Sequence, residues 1–272
     1  MHLAKARRTA NPLLPAGTAA TLLYVFFIGL PLVALIVRSA SEGDILSSLT
    51  SNVALQALRL SVVTSAVSMV IILALGTPFA YVLARRTTRL LRIVDALVEL
   101  PIVLPPVVAG MAMLMAFGRR GVLGPPLEAL GITIPFTTTA VIFSQIFVAA
   151  PFYIRAAKLG FQSVEQEYED VSQTLGVSPW RTFWRLTLPL AWPSMVGGAA
   201  LAWARALSEF GATIMFAGNF MGKTQTMPLA ILSAMESNSS AALALSVLLT
   251  AASILLLLGL YAASRRGGVQ NV

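Results

Sequence analysis

The sequence contains no cysteine and only one histidine, His2, among its 272 residues. Without cysteine the chain has no disulfide framework, no thiolate nucleophile and no thiolate metal site. His2 lies in a short basic tail, where we expect it to be neither a metal ligand nor a catalytic base. Because no other hydrolytic or redox constellation is present, we predict that the chain is not an enzyme and holds no metal or cofactor.

Charged residues are also scarce, at 11% of the chain, whereas 57% of the residues are hydrophobic. Soluble domains carry about a quarter charged residues, and apolar runs of about twenty residues have the length that crosses a bilayer core. The formal net charge of +8 would suit a nucleic-acid partner, but basic residues also collect on the cytoplasmic loops of membrane proteins. We therefore predict an all-α integral membrane protein that contacts lipid and binds no nucleic acid.

The apolar runs predict about six transmembrane helices within a single domain that covers residues 1–272. Neither a duplicated half nor a second domain is visible in the sequence. The predicted spans cover residues 18–37, 60–83, 98–117, 136–154, from 190 or 195 to 216, and 241–261.

The basic residues indicate how these spans are oriented. Thirteen fall on the side that holds both tails, the loop after the second span and the segment after the fourth: Lys5, Arg7, Arg8, Arg85, Arg86, Arg89, Arg92, Arg155, Lys158, Arg181, Arg185, Arg265 and Arg266. The other side carries five: Arg38, Arg59, Arg119, Arg120 and Lys223. Because cytoplasmic loops are enriched in lysine and arginine, we predict a multi-pass protein of the cell (inner or plasma) membrane with both termini in the cytoplasm.

Prolines mark the third span as unusual. Pro101, Pro105 and Pro106 remove backbone donors and clash with preceding carbonyls. Broken backbone at membrane depth is tolerated only inside protein or along a water-filled cavity. We expect this span to face other helices or a pathway.

The fifth span contains two charges one helical turn apart, Arg205 and Glu209. Charges at membrane depth usually pair and face the protein interior, so a structural ion pair is one interpretation. The other is that this region forms the gate of a pathway. The residues assigned to that gate are Pro105, Pro106, Arg205, Ser208, Glu209, Phe210 and Gly211.

A polar segment, residues 163–189, interrupts the apolar sequence between the fourth and fifth spans. Its pattern predicts two short amphipathic helices, the first with Ser163 as N-cap and Gln166 in the capping-box position. Gly176 stands where a left-handed residue ends a helix, and Ser178 with Pro179 restarts one. Two interpretations stay open: a hairpin that merely connects two spans, and a docking element that offers an acidic face to a soluble partner.

The spacing in this segment resembles the EAA loop of ABC-importer permeases. The family pattern is Glu-Ala-Ala, three residues, Gly, nine residues and Ile-x-Leu-Pro. This sequence has Asp170-Val171-Ser172, then Gly176 and then Leu-x-Leu-Pro at the same spacing. Asp, Val and Ser replace Glu-Ala-Ala, and Leu186 replaces Ile. The residues that the resemblance assigns to ATPase coupling, together with the preceding acid, are Glu169, Asp170, Val171, Ser172, Leu175, Gly176, Leu188 and Pro189.

The resemblance implies a type I ABC importer permease (MetI-like) bundle with a cytoplasmic coupling helix between the fourth and fifth spans. It further implies a homodimer flanking one path, two copies of a cytoplasmic ABC ATPase subunit, and an extracytoplasmic solute-binding protein. ATP hydrolysis is then expected in another chain. The sequence agrees with this expectation, because its one P-loop-like stretch, residues 217–224, lacks the first glycine of a nucleotide-binding P-loop.

Two further stretches bear on the substrate. Residues 203–219 resemble the oxyanion permeases for molybdate, tungstate and sulfate, and residues 117–124 and 224–231 are more similar to the molybdate branch. The resemblance implies import of molybdate or tungstate, with a sulfate or thiosulfate permease as the alternative. An ion-coupled secondary transporter and a non-transporting scaffold subunit remain open, although the internal repeats common in secondary transporters are not visible.

Overall fold

The computed structural model describes residues 13–41 and 48–267, and every regular element in these ranges is helical. This confirms the all-α prediction. The helices are α1 (Leu13–Ser41), α2 (Asn52–Arg85), α3 (Arg89–Val103), α4 (Pro106–Phe117), α5 (Gly124–Ala129), α6 (Thr138–Gln162), α7 (Gln166–Thr174), α8 (Pro179–Thr182), α9 (Leu188–Leu207), α10 (Gly211–Phe216), α11 (Met227–Ser237) and α12 (Ser239–Gly267), with a π-helical turn at Phe183–Thr187 between α8 and α9. His2 and the basic N-terminal tail lie outside the described residues.

Four helical stretches are long and apolar enough to cross a membrane: Gly17–Ser41, Asn52–Arg85, Thr138–Gln162 and Ser239–Leu260. They correspond to the first, second, fourth and sixth predicted spans. Their outward side chains are largely hydrophobic and exposed in the isolated chain, as expected for surfaces that face lipid or another subunit.

The core of the bundle is α6, which packs against both α2 and α9. Small residues allow the close approach of α6 and α9: a Cβ atom on Gly198 would collide with Ala156, and one on Gly160 would lie 2.8 Å from the Cβ of Ser194. Small residues of the fifth predicted span, Ser194 and Gly198, therefore pack against the fourth. The neighbouring Gly197 faces open space.

Hydrogen bonds between side chains join the same three helices. Ser68 of α2 donates to Gln145 of α6 at 3.0 Å, and the indole N–H of Trp203 on α9 donates to Ser65 of α2 at 3.0 Å. In a membrane, where helices gain little from the hydrophobic effect, such bonds contribute about 1 kcal/mol each. They fix the rotational setting of α2, α6 and α9.

Two of the predicted spans are interrupted. The third is divided into α3 and α4 at Leu104 and Pro105, as its prolines indicate. The fifth was expected to be continuous to residue 216, but it ends at Leu207 and restarts as α10 at Gly211. The break is stable because a buried carboxylate, described below, hydrogen-bonds to the start of α10.

Two connections expected as loops contain helices. The long connection at residues 217–240 holds α11, whose first turn contains Pro228, and the connection at residues 119–134 holds α5. The apolar side of α11 packs against α2 and α12, where Met227 and Ala230 are buried with Leu245. The polar composition of the connection concealed this short apolar stretch.

Candidate functional site: the polar segment and the broken spans

The polar segment forms the predicted pair of short helices, α7 and α8. Gly176 has a φ of +82°, its N–H donates to Gln173 O at 2.9 Å, and the N–H of Val177 donates to Ser172 O at 3.1 Å. These two bonds close the helix terminus in a Schellman motif, which requires a residue in the left-handed region. The predicted role of Gly176 in the backbone is confirmed.

The predicted capping box at Ser163 is wrong. Ser163 is the C-terminal cap of α6, and its hydroxyl donates to Gly160 O at 2.8 Å. The N-cap of α7 is Glu165, which makes no side-chain capping bond. Because Val164 is buried in the core beneath α6, the chain turns only after this residue, and the start of α7 shifts toward the C-terminus.

The apolar side of α7 has no partner within the described chain. Tyr168 and Val171 are about half exposed, Leu175 is 77% exposed, and Trp180 of α8 is 70% exposed. Of the four apolar residues at helical spacing here, Val164, Tyr168, Val171 and Leu175, only Val164 packs internally. Large exposed apolar patches on a polar segment mark interaction sites, so this surface favours the docking interpretation over a simple connection.

The exposed acids of α7 surround this apolar strip, but Glu169 does not belong to them. Glu165, Glu167 and Asp170 are exposed, whereas Glu169 is buried. Its carboxylate Oε1 lies 2.6 Å from Arg85 Nη2 at the end of α2. The expectation of one acidic face is therefore wrong for this residue, because its side chain points toward the membrane bundle.

The buried carboxylate of Glu169 contacts two further elements. Thr187 Oγ1, in the π-helical turn before α9, donates to Oε1 at 2.8 Å, and the Tyr81 hydroxyl of α2 donates to Oε2 at 3.3 Å. Ser172 and Thr182 share a hydrogen bond of 2.9 Å that joins α7 to α8. Leu188 and Pro189 form the first turn of α9 directly after the π-helical turn. The polar segment of residues 163–189, which we call the docking segment, is thus tied to both α2 and α9.

At the far end of α9, the ion pair expected within the fifth span is present. Arg205 Nη1 lies 2.7 Å from Glu209 Oε2, and the Glu209 side chain is fully buried. Glu209 Oε1 also accepts the N–H of Ala212 at 2.8 Å, which satisfies a free donor in the first turn of α10. Ser208 and Phe210 occupy the break itself. Sequence reasoning missed the capping role because it treated the span as continuous.

The two helix breaks are in contact. A Cβ atom on Gly211 would lie 2.7 Å from Pro106 Cβ, and one on Gly110 would lie 2.7 Å from Ala212 O. Pro105 is the N-cap of α4 and Pro106 its first residue. All seven residues predicted for the gate therefore lie at or next to one of two adjoining interruptions. Glu209 and Gly211 are buried there, whereas Pro105, Pro106 and Ser208 are exposed in the isolated chain.

Comparison with known proteins identifies the family. Residues 76–267 match the family described as binding-protein-dependent transport system inner membrane component. The chain belongs to this family. This permease is 44% identical to the molybdenum transport system permease protein ModB of Mycobacterium tuberculosis over 86% of its own length and 89% of the relative. It is 38% identical to the probable transport system permease protein NifC of Clostridium pasteurianum, over 90% and 86% of the two chains.

A more distant relative of the permease is the probable sulfate transport system permease protein cysT of Chlorokybus atmophyticus, at 35% identity over 79% and 77% of the two chains. Among solved structures, a bacterial ABC transporter for alginate import has a TM-score of 0.74 at 18% identity, covering 93% and 95% of the chains. The inward-facing MetNI methionine ABC transporter has a TM-score of 0.61 at 18% identity, covering 80% and 97%. The predicted family and MetI-like fold class are confirmed, and the secondary-transporter and scaffold interpretations are not supported.

The buried pair of Glu169 and Arg85 leads to a prediction about stability. In Glu169→Ala, the Arg85 guanidinium remains buried without its partner, so we expect the free energy of unfolding to fall by about 3 kcal/mol. The exposed neighbour provides the control, since Asp170→Ala should change it by at most about 0.5 kcal/mol. Unfolding by sodium dodecyl sulfate in mixed micelles measures both. Equal stability of the two variants would contradict the structural role of the pair.

Proposed function

We propose that this permease is the membrane-spanning subunit of an ATP-driven importer that moves molybdate, or the related tungstate, into the cytoplasm by alternating access. The observation that carries the proposal is the 44% identity to a molybdenum permease along nearly the whole chain. The sulfate relative is less similar, at 35%, and a sulfate or thiosulfate importer is the second candidate. In this proposal a separate ATPase chain hydrolyses ATP and an extracytoplasmic binding protein delivers the oxyanion.

The proposed membrane is the cell (inner or plasma) membrane, with both termini and the docking segment on its cytoplasmic side. The support is the unequal distribution of lysine and arginine between the two sides. The exposed arginines of the docking segment, Arg181 and Arg185, lie on the side assigned to the cytoplasm.

The docking surface is the exposed apolar strip of Tyr168, Val171 and Leu175, flanked by Asp170. When an ATPase covers this strip, the free energy of the complex falls by about 25 cal/mol for each Å² of apolar surface that is removed from water. When ATP draws the two ATPases together, α7 moves with them. Glu169 passes that displacement to α2 through Arg85 and to α9 through Thr187.

The gate in this proposal is the place where the two helix breaks adjoin. Displacement of α9 shifts Ser208 and Phe210 against the start of α4, because Gly211 and Pro106 are in direct contact. The second wall of the path comes from another copy of the chain. Its proposed contact surface is the open side of α9 and α4, where Gly197 has no neighbour and Leu201 and Met115 are well exposed.

Substrate uptake tests the proposed function directly. In cells that express the ATPase and the binding protein, we expect labelled molybdate to enter only when this chain is present. Excess tungstate should compete strongly and excess sulfate weakly. Competition by sulfate equal to that by unlabelled molybdate would favour the second candidate. ATP-independent uptake into liposomes that contain this chain alone would contradict the importer mechanism.

Docking of the ATPase is tested by Gly176→Val. The left-handed φ of +82° disfavours a β-branched side chain by about 1–2 kcal/mol, so we expect the terminus of α7 to unravel and the co-purified ATPase to be lost. Gly131→Val is a matched control, because Gly131 also has a left-handed φ, of +70°, and open surroundings but lies on the opposite side of the membrane. The unaltered complex should contain two permease copies and two ATPases. Retention of the ATPase by Gly176→Val would refute the docking surface.

The gate is tested by labelling a single cysteine, since the natural chain has none. Ser208 is exposed in the helix break, and we expect the labelling rate of Ser208→Cys to change severalfold when the ATPases are trapped with vanadate. Ser237→Cys, exposed at the end of α11, should react at a constant rate. Identical rates for Ser208→Cys in the resting and trapped transporter would exclude movement at this break.

A further inference from the structure

A groove of about 560 Å³ opens where α2, α6, the π-helical turn, α9 and α12 meet. Its wall includes Leu73, Tyr153, Trp184, Trp192 and Leu260. The volume lies in the range of about 300–1,000 Å³ typical of ligand pockets. Of the exposed apolar residues named above for the docking interpretation, only Trp180 lines the groove, and none of the residues at the two helix breaks does.

The wall of this groove is almost entirely apolar. Its two hydroxyl groups, those of Thr77 and Tyr153, hydrogen-bond to each other at 2.6 Å, and Thr77 also donates to Leu73 O. The hydroxyl groups are therefore satisfied within the protein and are not directed at a bound polar solute. An apolar lining of this kind suits a flexible hydrocarbon chain better than a polar solute.

In the proposed topology, on which this inference rests, the groove runs from the cytoplasmic end of the bundle toward membrane depth. Trp180 and Trp184, which belong to the docking segment, line one part of the groove, and Trp192 lies further along the chain in α9. Tryptophan is enriched at the level of lipid headgroups. From Leu188 to Val196 the α9 wall extends about 12 Å, at 1.5 Å per residue, into the zone occupied by acyl chains.

Two exposed cations lie next to these tryptophans in the sequence. Arg181 and Arg185 are exposed, one turn apart, and directly follow Trp180 and Trp184 in sequence. Within residues 13–41 and 48–267 the structure records no ion pair for either arginine, and the sequence contains no acid between Asp170 and Glu209. This local positive charge complements a phosphate group.

We propose that the groove binds an acyl chain of an anionic phospholipid from the cytoplasmic leaflet, and that Arg181 and Arg185 hold its phosphate. A second copy of the chain seated here with an apolar helix would leave both arginines unneutralised. The lipid contacts Phe183 and Trp184 in the π-helical turn, a distortion often found at functional sites. Because this turn joins the docking segment to α9, the bound lipid stabilises the joint that transmits motion.

The test uses the complete transporter in lipid nanodiscs made mainly of phosphatidylcholine. A phosphatidylglycerol or a phosphatidylcholine with a photoactivatable acyl chain is added, and cross-linked peptides are identified by mass spectrometry. We expect phosphatidylglycerol adducts on the peptide that contains Trp192 and Val196. Arg181→Gln combined with Arg185→Gln should lower them about 25-fold, since each basic residue near an anionic surface contributes about a fivefold preference.

Two further variants define the site. Arg89→Gln with Arg92→Gln removes another exposed arginine pair from the same side of the membrane and should leave the adducts unchanged. Ala199→Trp fills the groove while keeping both arginines, and it should abolish the adducts. Equal labelling by the phosphatidylcholine probe, or cross-links from a photoactivatable residue at position 192 to a second copy of the chain, would overturn the proposal. The binding readout is independent of which oxyanion is transported.

Discussion

The structure depends on the contact between the Glu169 carboxylate and the Arg85 guanidinium, 2.6 Å apart beneath the docking segment. A buried charge without a partner is strongly destabilising, whereas a pair with additional hydrogen bonds is tolerated. Thr187 and Tyr81 supply those bonds. Because the four residues come from α7, the π-helical turn and α2, one local electrostatic requirement fixes the polar segment to the end of an apolar bundle.

A second buried carboxylate, Glu209, meets the same requirement at the opposite end of α9. It pairs with Arg205 and caps α10. Between Thr187 and Arg205, α9 carries no charge, and small residues such as Gly198 press it closely against α6. The helix is therefore a packed rod between two polar joints. In the proposed mechanism, a displacement imposed at Thr187 would reach Ser208 by rigid movement, because interiors packed at crystal density transmit strain.

Local sequence patterns predicted the features that depend on neighbours in the chain. Gly176 is required by the end of one helix, Pro105 breaks another, and Arg205 reaches Glu209 because they are four residues apart. The orientation of Glu169 was not predictable in this way, since its partner Arg85 lies 84 residues earlier. Ser163 was misassigned because a serine beside a helix boundary suits either terminus, and only the burial of Val164 decides between them.

The charge arrangement also bears on how a dianion would pass such a protein. Arg205 is the basic residue nearest to the helix breaks, yet Glu209 already neutralises it at 2.7 Å. A fully exposed cation at this depth would hold an oxyanion firmly, whereas conduction needs binding weak enough for release. Pairing Arg205 with a buried acid lowers the local field while keeping the guanidinium one-quarter exposed. The paired Arg205 is therefore a weaker anion site than an unpaired arginine at the same place would be, which suits a path that the ion has to leave.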